Sequence, residues 1–496
     1  MGKMNIGVAA GKITPNGPIS LCGQFETRIS RYVESDLMAN CMVLEDGNSQ
    51  LIICSLDLES VSRSLTQRIV ELVEREEPEI DADAIALCCT HTHDGPRGSF
   101  SGEDHGATSG LRCALRYLPE GYTFVDSEAE MGGYLDQDEA AEQVAEAAAA
   151  VILKAWKTRR AGAFGPAFGR AVFGHSRRVT YSDGSAKMYG SAQTSTFVAL
   201  EGGNDSGVDL LYLFDEAGRP LGALINVGCP SQVVEAEYYV SSDFWGKARA
   251  RLADTLGPDF VLISVCAPAG DLSPRDLVRI DRDKDHHAEG QRYRPRREDS
   301  SMMYTLEGAG ELGRRAASIV EEKLSEGFRN RKTEGFLETR LVYLDLPVRK
   351  VTPAEYETAK AGFYRALEAL GRRTITPRDL HDIHVQSGEM YRFERQEIDR
   401  VFQTDIIVAR LDDMAFATSP FELYLDYGNQ IRARSWAAQT FLAQLTNDSA
   451  GYLPTEKAER GGHYSAYVSS GIVGHEGGAI LVEKTLDVIN ELFEED

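Results

Sequence analysis

Short, almost purely apolar runs recur along this chain, separated by long stretches whose apolar residues fall at helical spacing. The runs cover residues 7–10, 41–44, 51–58, 84–89, 210–214, 221–227 and 260–266. Runs of this length suit strands covered on both faces. Among the intervening stretches, 62–76 sets Leu65, Ile69, Val70 and Val73 on one stripe, and 136–157 is alanine-rich with acids first and bases last. Residues 310–326 carry Ile319 and Val320, and 480–494 carry Leu481, Leu486, Ile489 and Leu492 toward a core. Strands mixed with helices of this length predict an α/β fold, a mixed β-sheet core with flanking helices.

The 496 residues read as one large catalytic domain spanning 1–496, with a possible internal boundary near 330. There Lys332-Thr333-Glu334-Gly335 precedes a strand-like Leu341-Val342-Tyr343-Leu344. Segment 281–301 is dense in charge and nearly free of aliphatics, which predicts a charged insertion or a lid. A formal net charge of −24 argues against nucleic acid or an anionic membrane as partner, since both require clustered positive charge. No apolar stretch approaches the roughly 18 residues that span a bilayer, and the N-terminus lacks the apolar core of a secretory signal. The expectation is a cytoplasmic protein without stable membrane association that acts on a small molecule, alone or as a homo-oligomer. Eight cysteines in so long a chain are not a disulfide framework. Cys54, Cys88, Cys89 and Cys266 lie in apolar runs and read as buried core residues, whereas Cys229 precedes a proline at a strand end.

Thr90-His91-Thr92-His93-Asp94-Gly95-Pro96 closes the run at 84–89. Ligand-capable residues just past a strand end sit where open α/β sheets place their active sites. On a continuing strand His91 and His93 would share a face, where both can bind a metal, or one can bind while the other moves a proton. Ser273 lies on the Gly270-Asp271-Leu272-Ser273-Pro274 turn after another apolar run, a place that equally suits a simple turn or helix cap. Glu422 follows the Ser419-Pro420 break, where a carboxylate also suits a helix start. Tyr452 and Tyr464 flank a polar loop, and Arg177 and Arg178 precede a Ser182-Asp183-Gly184 turn.

In order along the chain, these landmarks resemble the neutral ceramidase family of zinc hydrolases. Gly11-Lys12-Ile13-Thr14-Pro15 looks like its opening turn, and His91-Thr92-His93 with Gly95-Pro96 like its histidine motif, with Asp94 where Ser or Ala is usual. Ser176-Arg177-Arg178 resembles the segment bearing its arginine, and residues 270–274 its serine turn. Glu422 falls at its metal-binding glutamate, with Pro420-Phe421 for the usual Pro-Gly, and Tyr452 and Tyr464 reproduce its tyrosine pair. The chain ends where that family adds an immunoglobulin-like tail.

The resemblance implies Zn²⁺ held by His91, Glu422, Tyr452 and a ligand from the strand ending near 229. The family has histidine there; this chain has Cys229, whose thiolate can also bind zinc. Recruitment of His463, or loss of the metal, are the alternatives. The implied catalytic residues are His93 for proton transfer or oxyanion contact, Tyr464 as oxyanion donor, Arg177 to orient the substrate and Ser273 in support. The expected activity is zinc-dependent cleavage of a linear amide bond in a small or soluble substrate. An esterase or lactonase, a serine-nucleophile hydrolase through Ser273 and a non-catalytic binding homologue are the competing readings. No G-x-S-x-G elbow supports the serine route.

Overall fold

The computed structural model describes residues 2–102, 110–278 and 305–494. The charged segment 281–301 lies outside these residues. Twelve strands, counted here from the two large sheets, form the core. They are β1 Asn5–Lys12, β2 Met38–Glu45, β3 Gln50–Leu56, β4 Ile85–Cys89, β5 Arg160–Arg170, β6 Gly207–Asp215, β7 Pro220–Val227, β8 Val261–Cys266, β9 Leu337–Pro347, β10 Val401–Leu411, β11 Met414–Thr418 and β12 Gln439–Ala443. The first sheet has the order β8-β7-β6-β5-β1-β2-β3-β4, and the second β9-β10-β11-β12. Both are mixed: β3–β4, β7–β8 and β11–β12 pair in parallel, and the other neighbours are antiparallel.

The pleat divides each strand between two cores. In β2, Cys41 and Val43 face helices α1 (Arg63–Glu76) and α2 (Gln137–Lys157). Met42 and Leu44 point the other way, into a core shared with Ile407, Met414, Phe416 and Phe441 of the second sheet. Helices α3 (Asp243–Leu256) and α4 (Leu306–Arg329) cover the β6–β7 end of the first sheet. Helix α7 (His475–Glu494) covers the outer face of the second. Helices α5 (Pro353–Ala369) and α6 (Pro377–Arg395) form a separate small core with Ala114. The mixed sheets with flanking helices are those expected from the apolar runs. The change from first to second sheet falls between the end of α4 and β9.

The signals at the helix starts are physical. Ser62 caps α1 by accepting from the Leu65 N–H, and Asp136 opens α2 with a full capping box through Glu139. β5 escapes the apolar-run criterion because it reads Arg-Ala-Gly-Ala-Phe-Gly-Pro-Ala-Phe-Gly-Arg. Its glycines admit α4: a side chain at Gly165 would collide with the Gly327 carbonyl, and one at Gly169 would lie 2.6 Å from Ile319.

β4 is fully buried, as its sequence suggests, yet it is an edge strand. Asn447 completes it. Its side chain accepts from Leu87 N–H (2.7 Å) and donates to the Ile85 carbonyl (2.8 Å), so buried backbone groups that lack a strand partner are still satisfied.

Candidate metal centre

The parallel pair β3 and β4 ends at one place, so the residues that follow them meet. Thr90 N–H donates to Leu56 O (3.0 Å) and His91 N–H to Leu58 O (2.9 Å). The chain then leaves the sheet: His91 has φ +69°, a left-handed conformation uncommon for a residue with a side chain. The two histidines therefore do not share a strand face as their spacing suggests. The turn brings them together instead, with ring centroids 5.0 Å apart and planes at 78°.

His91 Nδ1 lies 2.6 Å from the Glu59 carbonyl, which can only accept, so Nδ1 carries the proton and Nε2 is left as the donor atom for a ligand or metal. That Nε2 lies 3.5 Å from Oε2 of Glu422. Glu422 comes from the second sheet, two residues beyond the Ser419-Pro420 break, where residues 422–423 pair in parallel with 452–453. Burial pushes its carboxyl up, opposed by His91 and Arg177. Among the described residues, ligand atoms of Glu59, His91 and His93 lie within 4.8 Å of one another.

Arg177 joins the cluster through its guanidinium. It donates to Gly270 O (3.0 Å), to the Tyr452 hydroxyl (3.2 Å) and to the Tyr189 hydroxyl (3.1 Å), with Glu422 at 3.9 Å. The Tyr452 and Tyr464 hydroxyls are 3.2 Å apart, and burial pushes both phenols up, so both stay protonated donors. Arg178, its neighbour in sequence, does a different job. Wholly buried, it grips Glu201 (2.7 and 3.1 Å) and the carbonyls of Ala458, Gly462 and Tyr464, which fixes the tyrosine-bearing segment.

The structure thus gathers His91, His93, Glu422, Tyr452, Tyr464 and Arg177. Ser273 is buried in the ribbon pairing 272–273 with 175–176, and its Oγ accepts from Arg275 N–H (3.1 Å), which is the turn role. Cys229 is placed differently from the implied ligand set. It belongs to the apolar core under α3 and α4, its thiol pushed well up by burial, and it is absent from the metal-capable group. His463 accepts from Met188 N–H (3.2 Å) and is likewise outside that group.

Several site residues were not singled out by sequence reasoning. Glu59 follows the run at 51–58, so the strand-end logic applied to His91 would have found it. Gln232 meets His93 across 2.5 Å between their Nε2 atoms. Asp94 is the buried partner of Arg28 at 2.8 Å, and burial pushes its carboxyl up to about 7. Nothing in the local sequence marks these partnerships, because each spans loops far apart along the chain.

No protein-family model and no curated protein sequence matches the chain. Solved structures do. Neutral ceramidase from Pseudomonas aeruginosa aligns with a TM-score of 0.67 at 17% identity, over 100% of this chain and 75% of that one. A structure described as ceramidase complexed with C2 aligns at 0.66 and 16%, over 100% of this chain and 76% of the other. The protein is an α/β protein of the ceramidase fold. The fold implied by the sequence landmarks is therefore the fold the chain adopts. No helix of the described residues is long and apolar enough to cross a membrane.

Proposed function

We propose that this protein is a metal-dependent hydrolase that cleaves a linear amide (C–N) bond in a small, soluble substrate. One observation carries the reading: His91 Nε2, its tautomer set by the Glu59 carbonyl, faces the Glu422 carboxylate at 3.5 Å beside Glu59 and His93. Imidazole nitrogens and carboxylate oxygens are the donor set of hydrolytic zinc sites. His91, Glu59 and His93 would hold the cation, with the Glu422 carboxylate 3.5 Å from His91 Nε2 as a further oxygen donor.

A bound divalent cation supplies Lewis acidity and a nucleophile usable at neutral pH. The protein's own side chains supply the rest. Arg177 and Tyr464 are preorganised donors for the negative charge that develops on the carbonyl oxygen. Buried next to His91, Arg28 and Arg177, His93 is held well below its usual value, so it stays neutral and suits ligation better than proton carriage.

The test is metal analysis of the purified protein together with turnover of a panel of N-acyl amines. Stoichiometric zinc is expected, with activity lost on chelation and on His91→Ala. Protein that binds no divalent metal, or turnover indifferent to chelators, would refute the reading.

A further inference from the structure

The carboxylate of Glu59, which shares the metal-capable group with His91 and His93, has two unequal oxygens. Oε2 accepts from the Ser60 hydroxyl (2.5 Å) and from the Cys22 thiol, a weaker donor at 3.7 Å. Oε1 has no hydrogen bond among the described residues. Both donors are fixed through their backbones. Cys22 N–H donates to Gly95 O (2.9 Å), and Cys22 O accepts from Arg28 Nη2 (2.6 Å), which also reaches His93 O (2.7 Å). The thiol is thus clamped to the histidine segment on both sides of its Cα. Ser60 is backed by Gly98, where a side chain would collide with the Ser60 carbonyl, and Ser62 N–H donates to Gly98 O (2.8 Å).

We propose that Ser60 and Cys22 are positioning residues that hold Oε2 of Glu59, so that Glu59 meets a divalent cation through Oε1 alone. The inference rests on the metal-dependent reading above. A carboxylate can bind a cation through one oxygen or through both. Here the second mode would first have to break the Ser60 hydrogen bond. Groups that hydrogen-bond to a ligand fix the direction of the lone pair it offers. Glu59 then orders the centre twice: its carbonyl sets the His91 tautomer at 2.6 Å, and its carboxylate is set by its neighbour in sequence. Binding through one oxygen also leaves a coordination position open, which separates hydrolytic metal sites from closed structural ones.

The experiment uses the full chain, metal-free and saturated with zinc, and compares wild type with Ser60→Ala, Ser60→Thr, Cys22→Ala and Cys22→Ser. Zinc affinity is read by chelator competition. Carboxylate stretches are read from infrared difference spectra, loaded minus metal-free, with Glu59→Gln identifying the Glu59 bands. Affinity should fall about 10- to 100-fold in Ser60→Ala and about 2- to 5-fold in Cys22→Ala, whose lost donor is weak. Ser60→Thr and Cys22→Ser keep a donor and should recover most of the loss, with circular dichroism unchanged throughout. The Glu59 bands should show the wide splitting of one-oxygen ligation in wild type and a narrower splitting in Ser60→Ala. Unchanged affinity and splitting in Ser60→Ala overturn the proposal and leave the metal site standing. So does a loss that Ser60→Thr does not recover, or a difference spectrum that Glu59→Gln leaves intact. If wild type binds no zinc at all, the metal-dependent reading fails first and the positioning role with it.

Discussion

Oε2 of Glu422 lies 3.5 Å from Nε2 of His91, although the two residues follow strands of different sheets. The site is thus a seam: Glu59 and His91 leave the first sheet at the ends of β3 and β4, and Glu422 leaves the second after β11. What holds the seam closed is the apolar core between the sheets, so the geometry of the centre is a consequence of packing and not of local sequence.

Metal affinity should depend on Glu59 and not on Cys229. Glu59→Gln is expected to weaken zinc binding by at least about 10- to 100-fold in chelator competition, the scale set by the loss of supporting groups at metal sites. Cys229→Ala should retain stoichiometric zinc and cost about 1 kcal/mol in urea denaturation, as for a small core truncation. Zinc lost on Cys229→Ala would restore the thiolate to the ligand set.

Gly23 is a second control on the centre. It has φ +86°, and a side chain there would run into the His93 ring. Gly23→Ala should push the imidazole aside and lower kcat/KM by about 100-fold, the effect of roughly 1 Å of misplacement, with circular dichroism unchanged. Full activity in this variant would mean that His93 need not be held where it is.

Asn447 bears on stability in the same region. Asn447→Ala strips the Leu87 N–H and Ile85 carbonyl of their partners on the β4 edge. The expected cost is about 2–4 kcal/mol by urea denaturation, with faster amide exchange at Leu87. A change under about 0.5 kcal/mol would show that water replaces the amide without penalty.

Stability should also respond to pH through Asp243. This wholly buried carboxyl is pushed up to about 7 by burial, against the N–H groups of Val234 and Phe244. Its folded value exceeds its unfolded one, so the native state keeps a proton that the unfolded chain gives up. The contribution is complete below the unfolded value near 3.8 and is lost as pH rises through about 7. Asp243→Asn loses one accepted hydrogen bond, yet its stability should fall less than wild type from about pH 5 to 8. Parallel stability–pH curves for the two proteins would rule this titration out.

Much of the scaffold was written in the sequence because its signals are local. Periodicity marks α1, α2 and α7, and Ser62 and Asp136 are caps whose hydrogen bonds reach only a few residues onward. β5 was hidden, because its glycines answer to α4, a helix far along the chain. Within the site, strand-end position pointed to His91 and Glu422, and the family resemblance to the tyrosine pair. The face shared by His91 and His93 was misread, since the left-handed turn at His91 is a backbone choice imposed by its surroundings.

By itself, then, the amino-acid sequence determined the layers of this protein and the order of its chemical landmarks, because apolar period and capping act over a few residues. Which donors meet was decided only by tertiary structure. Cys229 has a ligand's chemistry but sits in the apolar core beneath α3 and α4, while Glu59 and Gln232, inconspicuous in the sequence, face the histidines. The physical reason is that packing two sheets face to face sets distances between residues that no local pattern relates.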